Sequence, residues 1–400
     1  MCGLIRFVTE KHSGLRFACK KVRLPHIMII FILVLYYFTI LFEPIKSWDA
    51  RSVWFFHAKM IWYAESIGLS AGWLHPSIQF AHPDYPKLVP ALAAGLSCAT
   101  GCWNEYAPKL SLFLILIPPV FWVFSFWSGR LSFLFLVMIF PFGMQSWLWN
   151  GYMDGYIALY AAVSMLLAGR YFKHRKPIDL LSGLSCLALI SNIKNEGIVI
   201  ALTGITAILI TEITANKFSL NELKKAFSLY RTGWLIFIAA PCVIWSVFYK
   251  YQWGMTSNLK MGSREMFLRL LNHFSDGTSL AFILERTLSC RETSILLSLV
   301  AFTTGLGLLT ALRRHMVSWI PALITAFVYY VSLVLVYLST PNLEYYLSHS
   351  VDRLMLTVSS LIIAGIYFIL KELEGTSVSP GKYDDRGIRQ EPGRMADIHQ

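Results

Sequence analysis

The sequence predicts an all-α, polytopic transmembrane helical protein, and three observations carry the fold class. Of its 400 residues, 56% are hydrophobic and only 14% are charged, against about 25% charged in ordinary soluble chains. Mean hydropathy is +0.55. The apolar residues come in long blocks joined by short polar junctions, and such blocks have no place on a water-facing surface. This combination excludes a soluble enzyme, a disordered chain and a nucleic-acid binder. The net charge of +12 is therefore read through its placement along the chain.

Taken in order, residues 1–24 form a basic N-terminus carrying Arg6, Lys11, Arg16, Lys20, Lys21 and Arg23. The apolar run over 25–43 lacks a small-residue cleavage site and reads as an anchor helix. A long outer loop, 44–87, follows. Its stretch SVWFFHAKMIWYAESI is aromatic and amphipathic, which suits a helix lying in the membrane interface. His57 and Lys59 are expected there as interface anchors. Segment 88–102 is apolar but short and rich in Gly and Ala, so it reads as a re-entrant or surface helix. Further spans are expected at 109–127, 131–149, 155–169, 180–193, 197–212, 234–249, 292–312, 316–338 and 354–371. That makes about 10–11 membrane helices in one domain over 25–371. Several fall short of a full span, so their ends are expected to bend or unwind inside the protein. A second outer loop, 250–291, holds another short amphipathic helix at MFLRLLNHF. Residues 372–400 are rich in Gly, Ser, Pro, Asp and Arg and read as a disordered tail.

Orientation follows from Lys and Arg, which favour cytoplasmic loops. The N-terminus, 170–179 (Arg170, Lys173, Arg175, Lys176), 212–233 (Lys217, Lys224, Lys225, Arg231), Arg313–Arg314 and the tail all fall on one side if 88–102 does not fully cross. The expectation is a multi-pass protein of the cell (inner) membrane with a cytoplasmic N-terminus. Trp103, Trp147, Trp149 and Trp319 read as residues of the aromatic belt. Seven cysteines are scattered without metal-ligand spacing. The chain has no Walker loop and no GxGxxG.

Five polar clusters then share the non-cytoplasmic face: SWDARSVW at Asp49, HPDYPK at Asp84, NGYMDGY at Asp154, NIKNEG at Lys194 and Glu196, and SHSVDR at Arg353. Charges at such depth are costly and face protein or a cavity. Carboxylates and cations together at a membrane boundary can activate a hydroxyl and stabilise a departing phosphate. Nucleotide sugars are cytoplasmic, so an activated donor on this face would be lipid-linked.

The order of these clusters resembles the GT-C glycosyltransferases, in particular the branch of protein O-mannosyltransferases and lipid A aminoarabinose transferases. In that family an Asp follows the first helix, as Asp49 does. A lysine–proline motif leads into an apolar helix, which HPDYPKLVP resembles. A second external Asp precedes a helix, as Asp154 does, a Thr-Lys-Gly-like turn resembles IKNEG at Lys194 and Gly197, and a late Arg begins a helix, like Arg353. Asp49 lacks the adjacent acid of the protein O-mannosyltransferases, and the lysine motif is PKL. The resemblance implies a polyprenyl-phosphate sugar as donor, a lipid, glycan or protein as acceptor, and inversion at the anomeric carbon.

On this reading Asp49 is the general base and Asp84 the second candidate, with Arg51 as the neighbouring cation of Asp49. Lys194 and Arg353 bind the donor phosphate, and Glu196 binds substrate or pairs with Lys194. Trp48 and Tyr85 face the sugar. Asp154 and His82 are assigned to a divalent metal ion, the one optional cofactor. Two competing readings remain. One is a transporter or flippase of polyprenyl-linked or other amphiphilic substrates. The other is a scaffold in which the Asp residues are helix caps. Convergence of Asp49, Asp84 and Asp154 in space separates a site from a scaffold.

Overall fold

The computed structural model describes residues 24–126, 145–216, 229–255, 263–290 and 317–377. The expectations for the N-terminus before residue 24, for most of 131–149, for 292–312 and for the tail beyond 377 lie outside these residues.

Every described element is helical. α1 spans Leu24–Phe42, α2 Phe55–Ala64, α3 Leu88–Ala99, α4 Leu110–Ser125, α5 Asp154–His174, α6 Pro177–Ser191 and α7 Asn195–Asn216. They are followed by α8 over Leu229–Val243, α9 over Arg264–Asp276, α10 over Thr278–Ser289, α11 over Ile320–Leu338 and α12 over Leu343–Ser377. Among the described residues five stretches are long and apolar enough to cross a bilayer: Asp154–His174, Asn195–Thr214, Thr232–Gln252, Ile320–Leu338 and Leu343–Lys371. This is a helical membrane protein.

α5 forms the centre and packs against α4, α6, α7, α11 and α12. Its sequence explains the position. Gly155, Ala158, Ala161, Ala162, Ser164, Ala168 and Gly169 put small side chains on every side of the helix, so neighbouring backbones approach closely, as membrane helices do. Polar side chains then tie helix to helix through backbone carbonyls. Tyr160 Oη donates to Ile115 O at 2.8 Å and Ser164 Oγ to Gly183 O at 2.8 Å. The outward faces are the reverse: Ile30, Phe31 and Phe38 on α1, Leu202 and Ile213 on α7, and Ile236 and Phe237 on α8 are exposed apolar residues. That surface matches lipid tails and not water.

Three segments bear on the expected boundaries, and two of them depart from those boundaries. α3 is a helix of twelve residues, which rises about 18 Å and is too short to cross a hydrocarbon core of about 30 Å; this agrees with the re-entrant or surface reading. The helix expected over 234–249 extends past its π-helical segment Ile244–Tyr249 to Gln252. The last helix begins at Leu343, not near 354. Its polar first turns stay helical because Leu347 and Val351 bury one face. Arg353 is therefore inside a helix, about three turns from its start, and not at a helix end.

Candidate functional site

The site forms where one end of the bundle meets loop 44–87. α1 ends at Phe42 and a π-helical turn, Ala50–Trp54, starts directly after Asp49; α5 begins at Asp154, α6 ends at Ser191 before Lys194, and α7 begins at Asn195. The opposite end of α5 holds the basic turn expected on the other side, locked by Arg170–Asp179 at 2.7 Å and Arg175–Glu212 at 2.8 Å.

Two glycines allow the close approaches that assemble the site. Gly151 has φ +85°, and a Cβ there would lie 2.4 Å from the Ala50 Cβ. It thus brings the segment before Asp154 against the segment after Asp49. Gly197 packs the first turn of α7 onto the end of α6, and its Cβ would lie 2.0 Å from Ile190 O. No rotamer change relieves a clash with backbone, so Gly197→Ala must shift the turn that holds Lys194. It is expected to destabilise the protein by about 1–3 kcal/mol and to reduce any Lys194-dependent binding. Thermal unfolding of the purified variant in detergent checks this, and an unchanged midpoint would contradict the packing described.

The resulting cavity, about 280 Å³, is lined by Asp49, His82, Asp84, Tyr85, Asp154, Lys194, Glu196 and Arg353. Residues from five separate sequence clusters thus share one space. Its remaining wall is mostly apolar and aromatic, with Val199, Tyr329, Leu333 and Leu354 among the contributors, and is interrupted by Asn195, Ser332, Thr340 and Ser350. Trp48 is the exception. It is exposed and packs edge-on against Phe80 with centroids 6.3 Å apart, and it is absent from the lining.

The ion pairs correct two expectations. Asp49 Oδ2 accepts from Arg353 Nη1 at 2.7 Å, so its cation is Arg353, whereas Arg51 is exposed. Lys194 does not stand unpaired. Its Nζ donates to Asp154 Oδ1 at 3.1 Å and lies 3.3 Å from Glu196 Oε1. Arg353 Nη1 also lies 3.7 Å from Asp154 Oδ2 and its guanidinium covers the Tyr152 ring at 5.0 Å. Neither carboxylate acts as a helix cap. Asp49 makes no capping hydrogen bond, and Asp154 is the first helical residue behind Met153. Two cations beside Asp154 oppose a divalent ion there, and His82 stacks on Tyr85 at 5.0 Å. Among the described residues no group of three His, Cys, Asp or Glu side chains is spaced to hold a metal ion.

Asp84 has its own supports. Oδ2 accepts from Asn195 Nδ2 at 2.7 Å and faces Lys250 Nζ at 3.4 Å, while Lys250 donates to Asn195 Oδ1 at 2.9 Å. Trp245 Nε1 donates to the Asp84 carbonyl at 3.1 Å. Lys250, Asn195 and Tyr329 were not among the residues singled out from the sequence. Lys250 had a usable signal, a lone cation at the end of an apolar helix, by the same rule that selected Lys194. Tyr329 had none, being one of several aromatics in an apolar helix.

Behind Asp84 lies a buried cluster that corrects the reading of His57. Its ring is fully enclosed, with Nδ1 3.3 Å from Lys87 Nζ. The Lys87 amine lies 4.1 Å from the Trp73 centroid and 4.7 Å from that of Trp245, and donates to Pro83 O at 2.8 Å. Burial, with the Lys87 charge, holds the His57 pKa well below the usual histidine value. In the unfolded chain His57 titrates near pH 6.5, so below that pH the unfolded state binds a proton that the folded state refuses. The stabilisation is fully present above about pH 6.5 and is lost as pH falls toward the lowered folded value. Melting in detergent is expected to be lower at pH 5 than at pH 7.5, with a smaller difference for His57→Gln. Equal acid sensitivity in the two proteins would contradict it.

Comparison with protein-family models, curated proteins and solved structures gives no match for this chain.

Proposed function

We propose that this membrane protein is a glycosyltransferase of GT-C type that moves a sugar from a polyprenyl-phosphate donor to an acceptor on the non-cytoplasmic face. The observation that carries the reading is the single cavity lined by Asp49, Asp84, Asp154, Glu196, Lys194 and Arg353 with an apolar wall. A scaffold has no need to gather ionised groups from segments more than 300 residues apart, as Asp49 and Arg353 are. An amphiphilic donor suits both halves of the lining, its headgroup among the ionic residues and its chain along the apolar side.

The chemistry is a displacement at the anomeric carbon. An acceptor hydroxyl oxygen forms the new bond as its proton passes to the Asp49 carboxylate. The bond from the anomeric carbon to the phosphate oxygen breaks, and its electron pair leaves with polyprenyl phosphate. Attack opposite the leaving group inverts the centre. Arg353 supplies positive charge beside the departing phosphate by sharing it with its carboxylate partners Asp49 and Asp154, and Lys194 holds Asp154 and Glu196 in place. Asp84, held by Asn195 and Lys250, is the second carboxylate within the cavity.

The competing reading is transport of an amphiphilic substrate, and one assay divides the two. Purified protein in proteoliposomes receives polyprenyl-phosphate sugars labelled in the sugar, with a membrane extract as acceptor source. A transferase releases free polyprenyl phosphate and moves label to the acceptor. A transporter moves the intact lipid across the bilayer with no cleavage, and that outcome would overturn the proposal.

A further inference from the structure

The ionic cavity is not balanced for an anion. Its lining holds four carboxylates, Asp49, Asp84, Asp154 and Glu196, against the two cations Lys194 and Arg353, with Lys250 pairing Asp84 from outside the lining. Both cations are already engaged, Lys194 by Asp154 and Glu196 and Arg353 by Asp49 and Asp154. At the same place four buried polar atoms have no hydrogen-bond partner: Asp154 Oδ2, Glu196 Oε2, Arg353 Nε and Tyr329 Oη. Asp154 and Tyr329 are 3% and 1% exposed, and both side chains line the cavity. Tyr329 lines the same cavity as Glu196, Asp154 and Lys194.

Buried polar atoms are almost always hydrogen-bonded, so a cluster of orphans calls for a partner. Here two of the four are carboxylate oxygens, which only accept, one is a guanidinium N–H, which only donates, and one is a phenol, which does either. A phosphate offers acceptors alone and would face two carboxylate oxygens of its own sign. A hydroxyl both donates and accepts, so neighbouring hydroxyls on one ring carry both kinds of partner that these four atoms lack.

We infer that Tyr329, Asp154 and Glu196 form a subsite for neutral vicinal hydroxyls and that it takes the sugar ring of the donor, not its phosphate. The inference rests on the transferase reading and adds to it the part of the donor that the inner cavity recognises. Tyr329 Oη and the two carboxylates bind ring hydroxyls, while Val199 and Leu333 cover the less polar faces of the ring. The phosphate then sits beyond that subsite, toward the Arg353 guanidinium, with the Asp49 carboxylate left on the acceptor's side of the anomeric carbon.

The test uses full-length protein in detergent and two kinds of probe: farnesyl phosphate, and farnesyl phosphate esterified with glucose, mannose, galactose or N-acetylglucosamine. Dissociation constants are measured for wild type, Tyr329→Phe and Glu196→Gln. At least one sugar ester is expected to bind about tenfold tighter than farnesyl phosphate, and each variant to lose about tenfold for that ester while holding farnesyl phosphate within about twofold. Glu196 is partly exposed at its side chain, so its variant keeps the test available if Tyr329→Phe does not fold. Sugar esters binding no tighter than farnesyl phosphate, or variants that weaken both probes alike, would overturn the subsite and leave the transferase reading in place. Binding of neither probe would remove the transferase reading and the subsite with it.

Discussion

Asp49→Asn is expected to lower sugar transfer by about 10²–10⁴-fold, the range for loss of a general base. The substitution keeps the size of the side chain and an oxygen to accept from Arg353, now at 2.7 Å, so expression and donor binding should stay near wild type. It removes the ability to take the acceptor's proton. The measurement is turnover of a labelled lipid-linked sugar at saturating donor, with Asp84→Asn in parallel. Near-normal turnover in Asp49→Asn with loss in Asp84→Asn would move the base to Asp84. Near-normal turnover in both would leave the carboxylates as structure and strip the proposal of its main chemical support.

Lys194→Met is expected to be the most destabilising single change in the site, by about 3–5 kcal/mol, because it strands a buried carboxylate. Lys194 and Asp154 are 5% and 4% exposed at their side chains and 3.1 Å apart. Once the amine is gone, Asp154 keeps only the longer pairing with Arg353 at 3.7 Å. Adding Asp154→Asn to Lys194→Met removes the stranded charge and should recover much of the loss, as coupled neighbours do in a double-mutant cycle. Unfolding midpoints of the two single variants and the double variant in one detergent decide it. Additive effects would show that the two side chains do not depend on each other. The consequence for function is that weakened donor binding in a Lys194 variant is interpretable only beside its stability.

Sequence periodicity and composition located the helices because bilayer crossing demands long apolar runs, and the site residues because charge is scarce in such a chain. Asp49, Asp84, Asp154, Lys194, Glu196 and Arg353 were each conspicuous as ionic groups at the edge of an apolar block, and the structure places all of them on one cavity. Pairing was less legible. Arg51 is next to Asp49 in sequence, yet Arg353 is its partner, since adjacency along a helix does not make side chains face one another. Arg353 seemed to begin a helix because the residues before it are polar. Polar residues continue a helix readily when one face still buries Leu347 and Val351. His57 seemed an interfacial anchor because its helix is aromatic. Instead Trp73 and Lys87 enclose it, contacts that come from more distant parts of the loop. Tyr329 shows the limit most clearly. A phenol inside an apolar helix gains a functional meaning only when the unpaired oxygens around it are seen.

The central claim is that this cavity is where a lipid-linked sugar binds, and photocrosslinking tests it most directly. A polyprenyl-phosphate sugar carrying a photoreactive group on its first isoprene unit is irradiated with the purified protein, and adducts are mapped by mass spectrometry. The account predicts adducts concentrated on the cavity-facing residues of α11 and α12 between Val336 and Leu354, that are competed by unlabelled donor and lost in Arg353→Gln. Adducts confined to the lipid-facing residues of α1, α7 and α8, and insensitive to competitor, would contradict it.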